Sequence, residues 1–184
     1  MKKDIKVGPA IFPMPVLMIG TYNEDGSVDV MNAAWGSQYD FDKIKLNLTS
    51  THMTVKNIKR NGEFTVALAD ASHVIEADYF GLVSANNTSF KFEKSGLTAT
   101  PSEKINAPII EEFPVVMECQ FIIEEDDGIV GKIVGLKVDD KYIEDGKVNV
   151  ENMHILAYDT FNHGYYEVGK KVGQAYSDGK KLMR

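Results

Sequence analysis

Apolar runs in this sequence are short, and turn signals cut most of them off before they reach helical length. Residues 16–22 (Val-Leu-Met-Ile-Gly-Thr-Tyr) end at Asn23-Glu24-Asp25-Gly26, and Asp-Gly favours the positive φ of tight hairpins. Residues 27–34 then read as the returning strand. Residues 44–49 alternate Ile, Leu and Leu with Lys, Asn and Thr, the period of a half-buried strand. Residues 64–69, a long run at 115–123, its partner at 129–138 and a short run at 155–158 complete the strand set. An acidic turn at 124–128 joins the two long runs, Asp145-Gly146 marks another turn, and Gly131 and Gly135 predict bends or bulges in a curved sheet. Two segments are helical: one that starts on Thr54 as N-cap and stops at Asn61-Gly62, and one over 72–80 with Ser72 as cap. Residues 81–89 and 101–108 read as loops, and the tail from Gly169 is polar and basic. There is no regular βαβ alternation. The pattern predicts a mainly β chain with short helices, closed as a β-barrel.

The 184 residues suit one domain and can bury a continuous core. A formal net charge of −7 argues against a nucleic-acid partner, which needs a basic face. It leaves room for a small anionic ligand, because a few local donors can hold one phosphate. Cys119 is the only cysteine, so no intrachain disulfide can form. The amino terminus lacks the apolar run of a signal peptide, and no stretch approaches the roughly 18 apolar residues of a membrane span. These features predict a cytoplasmic protein with no membrane partner.

His52, His73, His154 and His163 show no recognised metal spacing, so no metal ligands are assigned. Cys119 lies in an apolar alternating strand and reads as a structural thiol whose pKa the neighbouring Glu118 raises. G-x-S-x-G, G-x-G-x-x-G and the P-loop pattern are all absent, so a nucleotide would have to be held another way. Thr49-Ser50-Thr51-His52-Met53-Thr54 packs four hydroxyls and an imidazole between a strand and a helix start. It fits a phosphate cradle built on hydroxyls and backbone N–H groups, and equally an ordinary capped turn. Asn32-Ala33-Ala34-Trp35 fits either a backbone approach to a flat ring or a strand end with a core tryptophan. Ser84 in Gly81-Leu82-Val83-Ser84, with Lys91-Phe92 beyond, offers a hydroxyl and a cation, or a plain loop and a solvated lysine.

In this order the segments resemble the flavin reductase-like family, and within it the flavoredoxin-type branch. The likeness runs from about Pro13 to the tail. It includes Asp25-Gly26 before Asn32-Ala33-Ala34-Trp35, Thr54-Val55-Lys56-Asn57-Ile58, Phe64-Thr65-Val66-Ala67, Gly81-Leu82-Val83-Ser84 with Lys91-Phe92, and Ala107-Pro108 before Pro114 and Glu118-Cys119. The endings Gly164-Tyr165-Tyr166-Glu167 and Val172-Gly173-Gln174 are similar too. The resemblance implies a Greek-key-like split β-barrel that spans residues 1–184 as one domain, with a C-terminal extension from about 160. It implies a homodimer that binds FMN non-covalently near the subunit interface. Asn32, Ala33, Ala34 and Trp35 would approach the isoalloxazine. Thr49, Ser50, Thr51, His52 and Thr54 would surround the phosphate, with Ser84 and Lys91 as further contacts. Many relatives carry a basic residue in this loop, where the present chain has His52. The implied function is electron transfer through FMN from NAD(P)H or a redox protein, with no side-chain acid or base assigned. The competing reading is a non-catalytic split barrel that binds flavin or another ligand.

Overall fold

A computed structural model describes residues 1–88, 90–126 and 128–183. Ser89 and Asp127, inside the loop at 81–89 and the acidic turn at 124–128, lie outside the described residues. The main sheet has seven strands: β1 (Leu17–Tyr22), β2 (Val28–Ala33), β3 (Gly36–Asp40), β4 (Lys43–Leu46), β5 (Glu63–Leu68), β6 (Val115–Glu125) and β7 (Gly128–Val138). Their spatial order is β2-β1-β5-β6-β7-β4-β3, every pair antiparallel.

The chain itself forces this sheet to curl. β2 and β3 are its two edges, yet only Ala34 and Trp35 connect them. Such a link spans at most about 11 Å, whereas the edges of a flat seven-stranded sheet would stand roughly 29 Å apart. The sheet therefore bends until its edges nearly meet, which is the split barrel. Gly36 sits on that seam. A Cβ there would lie 2.6 Å from Leu17 Cδ1 and 2.9 Å from Leu46 Cδ2. Register shifts at Val130/Gly131 and at Ile133/Gly135 supply the bulges expected from those glycines.

Two helices cover the barrel. Helix α1 (Met53–Asn61) puts Val55 and Ile58 against Leu17, Ile19, Phe64 and Val66 inside the barrel. Gly62 ends it in the left-handed conformation at φ 73°, donating its N–H to the Ile58 carbonyl. The cap at its start corrects the sequence expectation. The N-cap is His52, and Thr54 lies within the first turn. Helix α2 (Val74–Leu82) packs Ala77 and Phe80 on the other face of the sheet with Val16, Met18 and Val30. The sequence pattern started this helix at 72 and stopped it at 80. Instead a 3₁₀ turn over Ala71–His73 precedes it, with the Asp70 side chain accepting from Ser72 N, and the helix runs on through Gly81 and Leu82.

β1 is buried on both faces, because it lies between these two apolar clusters. A hairpin of Leu156–Tyr158 and Tyr165–Glu167 lies across the Met14–Pro15 bridge strand and brings its aromatic residues to the seam. Cys119 is fully buried, and burial, then Glu118, pushes its thiol up to about 12. Among the described residues, no helix is long and apolar enough to cross a membrane, and no group of three His, Cys, Asp or Glu could hold a metal ion.

Candidate functional site

The seam opens into a cleft of about 490 Å³. One wall is the β2–β3 link with Asn32, Ala33, Ala34 and Trp35, and the floor continues through Asn47, Leu48 and Thr49. Beside that wall stand Tyr158, His163 and Tyr165 from the C-terminal hairpin, with Asp78 and Gly81 of α2. The Trp35 carbonyl accepts from Asn47 N at 2.7 Å. Trp35 is 47% exposed, so the reading of a core tryptophan does not hold. Its ring lies 6.4 Å from that of Tyr158, which lies 6.0 Å from that of Tyr165. These flat rings form one side of a slot suited to a planar ligand.

Asn32 is held rather than free. Its Nδ2 donates to the Ala77 carbonyl at 2.8 Å and to Tyr165 Oη at 3.4 Å. Tyr165 donates in turn to Asp78 Oδ1 at 3.1 Å. Burial first, then the Asp78 bond and charge, push the Tyr165 phenol up to about 12.

A second, smaller pocket of about 120 Å³ adjoins the cleft through Met31, Asn32, His52, Gly81 and Leu82. Thr54, Ser84, Asp29 and Lys91 also line it. Here the amino terminus of α1 arrives without a side-chain cap and with no acidic residue in its first turn. Its leading backbone N–H groups have no partner within the helix, and its dipole favours an anion. His52 Nδ1 is buried and lacks a hydrogen-bond partner among the described residues. Lys91, which reads as a solvated surface lysine when met alone, is buried at 5% exposure. Its Nζ stands 3.6 Å from Asp29 Oδ1 and 5.7 Å from the centre of the Phe80 ring. Burial lowers the Lys91 pKa, and Asp29 opposes that shift. At 3.6 Å the pair is ionic rather than hydrogen-bonded, and Asp29 Oδ1 has no hydrogen-bond partner among the described residues. Asp29 Oδ2 accepts from Thr54 Oγ1 at 2.5 Å.

The fold thus brings most of the expected residues together. Asn32, Ala33, Ala34, Trp35, Thr49 and His52 line the cleft, and His52, Thr54, Ser84 and Lys91 line the pocket beside it. Ser50 and Thr51 are exposed and line neither space, and the Thr51 carbonyl accepts from Asn86 Nδ2 at 3.3 Å. Sequence reasoning missed Asp29, Asp78, Tyr158, His163 and Tyr165. The run from Tyr158 to Tyr165, with two further aromatic residues or His between them, was the available signal for the last three.

The sequence model described as the flavin reductase like domain matches residues 10–164. The chain belongs to the flavin reductase-like family. Flavoredoxin of Desulfovibrio vulgaris (Miyazaki F) is 30% identical, with a TM-score of 0.93 over 97% of this chain and 100% of that one. The crystal structure of flavoredoxin from Methanosarcina acetivorans is 27% identical, with a TM-score of 0.87 over 99% and 100%. An FMN-binding domain of a flavin reductases-like enzyme from Shewanella baltica OS155 shares the fold at 18% identity, with a TM-score of 0.78 over 87% and 88%. The cleft and the adjoining pocket are therefore features of a flavin reductase-like split barrel. An uncapped helix start, an unpartnered buried imidazole nitrogen and a buried lysine fit the phosphate of a flavin nucleotide, and the ring-lined slot fits its planar part.

Proposed function

We propose that this chain binds FMN non-covalently across the cleft and pocket and works as a flavin-dependent oxidoreductase of the flavoredoxin or flavin reductase type. One observation carries the reading. A slot walled by Trp35, Tyr158 and Tyr165 runs directly into a pocket where α1 begins uncapped beside Lys91 and His52. A ligand with a flat ring at one end and a phosphate at the other matches both halves. The 30% identity to a flavoredoxin supports the same branch.

In this reading the backbone at Ala33, Ala34 and Trp35 lies along the ring, and Asn32 is kept in place by Ala77 and Tyr165. The α1 amides, His52, Thr54, Ser84 and Lys91 serve the phosphate end, with Thr49 on the cleft side of it. Asp29 neutralises part of the Lys91 charge, so the helix amides supply much of the attraction there. FMN, when bound, supplies hydride and single-electron chemistry, while the protein orients it and sets its electrostatic surroundings.

Titration of the purified protein with FMN, followed by visible absorbance, tests the reading. Saturable binding at micromolar FMN is expected, and no binding sinks it. The electron donor is NAD(P)H or a redox protein. Stopped-flow bleaching by NADH or NADPH points to a reductase, and slow bleaching by both points to a protein-fed carrier. We also propose that the active form is a homodimer. Ile122, Ile123 and Leu136 of the long β6–β7 hairpin are exposed apolar side chains of the kind that subunit contacts cover.

A further inference from the structure

Among the described residues, the titratable side chains lining the cleft are His52, Asp78, Tyr158, His163 and Tyr165. Three of them are already committed. His52 lies at the α1 end and also lines the adjoining pocket. Asp78 accepts from Tyr165 at 3.1 Å, and Tyr165 also accepts from Asn32 at 3.4 Å. With its phenol pushed up to about 12, Tyr165 holds its proton.

Tyr158 and His163 differ. Tyr158 Oη lies 2.6 Å from His163 Nδ1, and the two rings stack at 6.1 Å with an interplanar angle of 28°. A purpose-built loop presents the histidine. Asp159 Oδ1 accepts from Phe161 N at 2.8 Å, and Oδ2 accepts from Asn162 Nδ2 at 3.1 Å. The Asp159 carbonyl accepts from His163 N at 3.0 Å, and His163 itself takes the left-handed conformation at φ 60°. That conformation is costly for a residue with a side chain and persists where surrounding bonds enforce it. Here it turns the imidazole back over Tyr158. Tyr158 is half-buried against Trp35 and Tyr165, and His163 is open to solvent.

We propose that Tyr158 is a proton donor to a second substrate, a small planar acceptor of the quinone class, and that His163 is the positioning residue that aims and reloads it. The proposal deepens the flavin reading and rests on it. One proton lies between Oη and Nδ1. When Nδ1 carries it, the imidazole donates to the phenol oxygen, and the phenol keeps its own hydrogen for the cleft. A planar substrate suits the aromatic lining beside Tyr158 once it shares the cleft with the flavin ring, and a protein that passes only single electrons needs no such acid. The balance is complete. A quinone takes two electrons and one proton as hydride from the reduced flavin, which is thereby oxidised. Its second oxygen takes a proton as the Tyr158 O–H bond breaks, giving the hydroquinone. The phenolate recovers a proton from His163 Nδ1–H, and solvent returns one to the exposed imidazole.

Three measurements test this together. Nitrogen-15 NMR of the flavin-free protein near neutral pH reads the His163 tautomer directly. A protonated Nδ1 that loses its bonded signature in Tyr158→Phe is expected. An imidazole protonated only on Nε2 overturns the proposal, because the phenol hydrogen is then spent on the histidine. Photoreduced, FMN-loaded protein is next mixed with p-benzoquinone or with ferricyanide, a one-electron acceptor. Tyr158→Phe should lower the ratio of the two oxidation rates by about 10²-fold, the scale of a positioned general acid. His163→Gln should lower it by less and shift the Tyr158 hydroxyl signal. An unchanged ratio in Tyr158→Phe overturns the proposal even with flavin fully bound. FMN titration of each protein separates the two ideas. Wild-type protein that binds no flavin defeats the functional reading, while the tautomer still decides whether the Tyr158 proton is available.

Discussion

Lys91 and Asp29 form a single buried contact beside the pocket at the start of α1. Both are nearly inaccessible, and each is the other's charge partner at 3.6 Å. Removing one member of such a pair leaves an uncompensated charge, a loss on the order of 3–5 kcal/mol. Lys91→Met should therefore lower stability by that order in urea melts, and adding Asp29→Asn should recover part of it. If the two losses simply add, the pair is not coupled. Tyr165 gives a pH prediction. Its folded pKa, pushed to about 12 by burial and Asp78, stands above the ordinary phenol value of 10.0. The native state thus keeps a proton that the unfolded chain releases first. The stabilisation from this group is full below pH 10, and it is lost as pH rises from about 10 to 12. Urea midpoints across that window should fall more steeply in the native protein than in Tyr165→Phe. Equal slopes would show that another group governs the alkaline limb.

At the level of elements, the decisive piece is the Ala34–Trp35 link. Because two residues tie one sheet edge to the other, Gly36 must pass between Leu17 and Leu46 with no room for a side chain. Gly36→Ala should cost about 1–3 kcal/mol by overpacking. It should also weaken FMN binding, since the same corner forms the cleft wall. A variant of unchanged stability would mean that the seam has slack. Helix α1 makes the complementary point. Hydroxyl-rich residues before an amphipathic helix usually signal a side-chain cap, which is why Thr54 reads as one. In the folded chain its hydroxyl turns away to Asp29, a residue 25 positions earlier on β2. The helix start is left without a side-chain cap because its N-cap position falls on His52, while Thr54, inside the first turn, is held by Asp29.

For the whole molecule, the prediction concerns assembly. The terminal arms carry Ile5, Val7, Val172, Tyr176 and Leu182 in the open, and the β6–β7 hairpin carries Ile122, Ile123 and Leu136. Light scattering after size-exclusion chromatography should give twice the chain mass of 20.5 kDa. A mass of one chain at micromolar concentration would overturn the dimer.

Much of this architecture was legible in one dimension. Period-2 alternation, Asp25-Gly26 and the paired glycines of the second long strand specify strands, a hairpin and bulges, because side-chain alternation and positive φ are local properties. The ordered family segments also pointed to Asn32 to Trp35 and to the start of α1, which the fold brings to one cleft and the pocket beside it. Three features were not legible. The burial of Lys91, the role of Asp29 and the meeting of Tyr158 and His163 with Trp35 all depend on contacts between distant segments. A buried ion pair or a shared aromatic wall is set by where the curled sheet brings its edges. The short Ala34–Trp35 link imposes that curl only because the strands it joins end up as opposite sheet edges, and the pairing order of the whole sheet decides that.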